Sequence, residues 1–145
     1  MLKAAVIILI VMLAYGGIYS LMSIIAPKVT MKSALKVRAG KTIADAESDG
    51  YLSTLTGLQR HQGAFALTTT IAGFFVLFAG YRKAQKWAWW SFLIVGGIAW
   101  LWGLITTIII GDNINMILHV IGIVIFLVGI LIPIKAFFGK EAGAS

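Results

Sequence analysis

The sequence contains no cysteine, and of its 145 residues only five are acidic and 12% are charged. Disulfide frameworks, thiolate metal sites, iron–sulfur ligation and cysteine nucleophiles all need the missing sulfur and are excluded. A soluble domain carries about 25% charged residues, so the composition also excludes a soluble globular enzyme. Reaction motifs are missing as well. No apolar run holds paired carboxylates, which argues against a proton-coupled transporter of the usual kind. There is no nucleophile beside a base, no glycine loop for phosphate and no His-Glu-x-x-His.

What is present is apolar: 60% of the residues are hydrophobic, and the mean hydropathy is +0.97. A hydrocarbon core about 30 Å thick needs roughly 20 apolar residues in a helix, because unpaired backbone groups cannot be left in lipid. Four segments qualify, at about 4–26, 63–80, 87–110 and 114–134. They are continuously apolar, whereas barrel strands would alternate over about ten residues. The expectation is an all-α, polytopic integral membrane protein. Residues 1–145 form a single four-helix transmembrane domain, a compact bundle with a long polar loop, 27–62, between its first two helices. Lys3 followed by an apolar run resembles a secretory leader, but the run is longer than a leader's apolar core of about 7–15 residues and reads as a retained anchor.

Basic residues divide evenly across the membrane. Lys3, Arg82, Lys83, Lys86, Lys135 and Lys140 lie on one side with Glu141. Lys28, Lys32, Lys36, Arg38, Lys41 and Arg60 lie on the other, diluted by Asp45, Glu47, Asp49 and Asp112. Positive charge counts most in short loops, so Arg82, Lys83 and Lys86 are expected in the cytoplasm, with both termini, in a prokaryotic cytoplasmic membrane. Trp87, Trp89, Trp90, Phe137 and Phe138 read as an interfacial aromatic belt.

In the loop, Thr30 is placed to cap a short amphipathic surface helix that carries Met31, Ala34 and Leu35 on one face and ends at Gly40. Its basic residues suit anionic lipid, an acidic partner subunit or plain solvation. The net charge of +7 has the same origin and does not indicate nucleic-acid binding, since no soluble basic domain or stacking aromatic accompanies it. Asp45, Glu47, Asp49 and Gly50 imitate the start of a calcium loop, but Thr56 stands where the closing carboxylate belongs; a helix end and an Asp-Gly turn explain the same residues.

Polar groups at membrane depth are expensive and therefore informative. His61, His119, Asp112, Asn115 and Thr107 all fall toward the same side and are the candidate ligand or proton-relay site. Haem or metal ligation, a quinone contact and a proton relay are open to the two histidines, although no cofactor is required. The reading preferred over these is a structural role, with His119 bonded to Tyr15, Tyr19 or Asn115 inside the bundle and His61 in the headgroup region beside Arg60. Small and polar residues at steps of three and four mark helix-packing faces, with Gly16, Ser20, Gly73, Gly96, Gly103, Gly122 and Gly129 as the close-approach positions. The functional expectation is a small non-catalytic membrane protein, an accessory or stabilising subunit of a larger membrane complex with lipid and other subunits as partners. The alternative is a small membrane enzyme or redox or ligand-binding protein using a pocket around His61 and His119. A third reading, a carrier of a small hydrophobic molecule, requires a cavity open to lipid.

Overall fold

A computed structural model describes residues 1–139; Lys140 and Glu141, counted above in the charge balance, lie outside the described residues. Among those residues all regular structure is helical: α1 (Leu2–Ile25), α2 (Pro27–Ala39), α3 (Ile43–Ser48), α4 (Leu52–Ala79), a 3-10 turn (Tyr81–Lys83), α5 (Lys86–Ile110), α6 (Asn113–Leu131) and α7 (Ile134–Phe138). Four stretches are long and apolar enough to cross a membrane: Leu2–Ile25, Leu52–Lys83, Lys86–Ile110 and Asn115–Phe138. The chain is an integral membrane protein, and an even number of crossings puts both ends of the bundle on one side.

The long polar loop is not there. Residues 27–62 are two short helices and the first turns of α4, which begins at Leu52 rather than near Gly63. Low average hydropathy hides a helical stripe: Leu52 and Gly63 are buried and Leu55 and Gln59 half-buried, at steps of three and four. Pro27 occupies the first turn of α2, where a missing N–H costs nothing. The helix thus starts before Thr30, whose hydroxyl donates to the Pro27 carbonyl at 3.1 Å. It ends on Gly40 at φ 63°, a left-handed stop that suits glycine. Thr42 and Asp45 form a reciprocal capping box at the start of α3, so Asp45 is engaged at a helix end, and Gly50 (φ 79°) makes the following turn. The backbone and hydroxyl bonds from Thr42 hold the Asp45 carboxyl below its ordinary range.

Around the bundle the order is α4, α1, α6, α5. α1 packs most extensively on α4 and also on α6, α5 packs on α6, and α4 meets α5 far less. Leu13 fills the space beside Gly73, where a Cβ would lie 2.6 Å from it; Gly63 receives the Ser20 carbonyl and Ser23, each 2.9 Å from such a Cβ. The α5–α6 contact is a ladder of large residues against small ones, Phe126 at Gly96, Trp100 at Gly122 and His119 at Gly103. Lipid offers helices no hydrophobic drive to associate, so this shape match is what closes the seam.

The main core lies at the end of the bundle that carries the α4–α5 turn: Leu9, Leu77, Tyr81, Trp89, Phe92, Ile130 and Phe137 are buried there. Pro133 explains part of it. Proline has no N–H for the carbonyl four residues back, so Gly129 loses its helical donor. The Tyr81 hydroxyl takes that place at 2.6 Å. One residue on, the Ile130 carbonyl accepts the Trp89 indole N–H at 3.0 Å. Trp89 and Phe137 are therefore core residues rather than interfacial anchors; Trp87 and Trp90 remain half exposed.

Candidate functional site

The opposite end of the α5–α6 pair carries most of the candidate polar residues. Gly111 turns the chain at φ 75°, and Asp112, only 2% exposed, caps α6. Its carboxylate accepts the Asn115 backbone N–H at 3.1 Å and the Asn115 amide at 2.6 Å. These bonds, side chain first, hold its carboxyl below the usual range, and Arg38 and His119 act in the same direction. Nδ1 of His119 lies 2.7 Å from the Asn115 carbonyl. A carbonyl only accepts, so this nitrogen carries the hydrogen and Nε2 faces Gly103, beside the edge of Trp100. Thr107 is buried, and its hydroxyl donates to the Leu104 carbonyl at 2.9 Å, while its own carbonyl accepts the Asp112 N–H at 3.0 Å.

Asp112, Asn115, His119 and Thr107 thus form one connected group. The carboxylate does not touch the imidazole, because Asn115 stands between them, so the arrangement is not an acid–base dyad. His61 is exposed on α4. Two residues further on, Gly63 faces α1, which turns His61 roughly 160° away from that contact. No hydrogen bond joins it to the α6 group, and no cluster of three or more metal-ligating side chains occurs among the described residues. Tyr15 and Tyr19 are exposed rather than bonded to His119.

Two features carry no signal in the sequence. Gln59 donates to both Ser23 and Thr30 at 3.2 Å, fixing the α1–α2 corner to α4. Between α4 and α5 lies a cleft of about 470 Å³, floored by α1 and by Phe126 of α6 and walled by residues including Thr69, Gly73, Val76, Val95, Ala99 and Trp100. It is apolar because its hydroxyls are used locally: Thr69, Thr70 and Ser91 donate to the carbonyls of Phe65, Ala66 and Trp87. Spacing along one helix shows small faces but not whether the facing helix fills them.

Comparison with protein-family models, with curated proteins and with solved structures finds no match to this chain.

Proposed function

We propose that this protein is a non-catalytic accessory subunit that stabilises a larger membrane complex, in a prokaryotic cytoplasmic membrane with both termini cytoplasmic. The observation that supports this reading is the preformed unit made by α2 and α3. Met31, Ala46 and Leu52 give it a small core of its own, extended by Leu35, Ile43, Tyr51 and Leu55. Gln59 ties it to the bundle, and a Lys41–Asp49 ion pair spans α3. On this frame Lys28, Lys32, Lys36 and Arg38 are exposed. A surface already ordered loses little conformational entropy on docking, and its charge suits an acidic face of a neighbouring subunit.

Native mass spectrometry after mild extraction tests the proposal. A heteromeric assembly is expected, and Lys32→Glu with Lys36→Glu should release this subunit from it. A free monomer or a homo-oligomer would overturn the reading. The absence of cysteine makes orientation easy to test: a cysteine introduced at Lys83 should be shielded from an impermeant thiol reagent in intact cells, and one at Lys32 should be labelled.

A further inference from the structure

The α4–α5 cleft takes no part in the docking of α2 and α3. Its volume, about 470 Å³, lies in the range of pockets for small ligands, roughly 300–1,000 Å³. A transmembrane helix about 10 Å across and 30 Å long occupies on the order of 2,000 Å³ and cannot enter it. With Thr68, Thr69, Thr70 and Ser91 all donating to carbonyls of their own helices, the walls keep no free donor and only the acceptor lone pairs of these hydroxyls. The rest of the lining is apolar and suits hydrocarbon.

A second observation identifies what that hydrocarbon is attached to. The turn joining α4 to α5 bears Arg82, Lys83 and Lys86, all exposed. None is in a salt bridge among the described residues, where the single ion pair is Lys41–Asp49. Trp87 stands half exposed beside them, the position of an aromatic at the headgroup level. Arg82 lies six residues beyond Val76, and Lys86 six before Phe92, both cleft residues. At 1.5 Å per residue of helix, α4 ends at Ala79 about 4.5 Å beyond Val76 and Lys86 lies about 7.5 Å before Ser91, so the cationic turn begins about 5–8 Å from the cleft. The polar layer of a leaflet, about 5–8 Å deep, separates phosphate from acyl chain by a similar distance.

We propose that the cleft is a binding site for an anionic phospholipid, with one acyl chain between α4 and α5 and the phosphate held by Arg82, Lys83 and Lys86. The test uses the full chain reconstituted in bilayers of equal phosphatidylglycerol and phosphatidylcholine, extracted gently and weighed by native mass spectrometry. Wild type should retain one phospholipid per protomer, with a preference for phosphatidylglycerol on the order of tenfold. Arg82→Gln, Lys83→Gln and Lys86→Gln together should abolish the preference while leaving a lipid bound. Ala99→Trp, and independently Ala72→Trp, should fill the cleft and remove the bound lipid, with circular dichroism showing an intact fold. The proposal is overturned by wild type without a one-to-one lipid or without the anionic preference. Unchanged retention in folded tryptophan variants would also overturn it, as would a lipid-free dimer, which would make a second copy the occupant.

Discussion

The α5–α6 and α4–α5 seams are both made by helices that follow one another in the chain, yet one is filled and the other open. In the first, each large side chain meets a glycine on the facing helix: Phe126 at Gly96, Trp100 at Gly122, His119 at Gly103. In the second, Ala72 and Val76 of α4 and Val95 and Ala99 of α5 line the cleft, and the large residues of the α5 wall are spent elsewhere, Trp100 against Gly122 and Phe92 against Tyr81. A short connection brings two helices together but does not pack them. In lipid that depends on paired shapes, because apolar surface gains nothing by leaving hydrocarbon for protein.

The largest test of this contrast is Gly122→Leu. Its Cβ would lie 2.2 Å from the edge of the Trp100 ring, and the loss should be about 3 kcal/mol, the upper part of the usual overpacking range. Thermal unfolding in detergent, followed by circular dichroism, measures it; unchanged stability would mean that Trp100 does not close the seam. Next is Tyr81→Phe. The Gly129 carbonyl would lose the hydroxyl that replaces the proline's missing donor, costing about 2 kcal/mol for a buried acceptor left unpaired. Pro133→Ala restores a backbone N–H, so Tyr81→Phe should cost less than half as much in that background. A double-mutant cycle with no coupling would separate the tyrosine from the helix break.

The sequence carries unequal amounts of this arrangement. Four spans are legible because hydropathy over about 20 residues is a direct physical requirement of the bilayer. The left-handed stop at Gly40 and the Asp49-Gly50 turn are legible from local backbone chemistry. The start of α4 is obscured because Gln59, Arg60 and Gln62 lower the average over a stripe whose period is helical. Asp112, Asn115 and His119 share a face by spacing alone, but the orientation of His61 depends on the rotation of α4 against α1, which Gly63 sets through its contact with Ser20 and Ser23. The bonds of Tyr81 and Trp89 to α6 span 48 and 41 residues, and no local pattern announces them.

A smaller effect is expected at the polar end of the filled seam. Asp112→Ala removes the cap of α6, a loss of about 1 kcal/mol. The sign of its pH dependence follows from the depressed carboxyl: the unfolded group titrates near 3.9, at roughly the model-peptide value, and the folded group lower. The stabilisation is complete above the unfolded value and lost as pH falls through the folded one. The gap between wild type and Asp112→Ala should therefore close on acidification below about pH 4, as read from unfolding temperatures at pH 6 and pH 3. A constant gap would show that the cap does not depend on its charge.

The smallest effect belongs to the open seam and decides whether the contrast is real. Ala99→Leu enlarges a side chain in the middle of α5, as Gly122→Leu does in α6, but Ala99 is exposed at the cleft, so the added carbons enter free space. Stability in detergent without phospholipid should change by less than about 0.5 kcal/mol, as for substitutions away from packed features. A loss comparable to that of Gly122→Leu would mean that α4 and α5 close against each other and that the cleft is not a property of the folded bundle. A gain would show that filling the gap supplies packing the native seam lacks. Near-neutrality at Ala99, beside a large loss at Gly122, would locate the cohesion of α5 in its contact with α6.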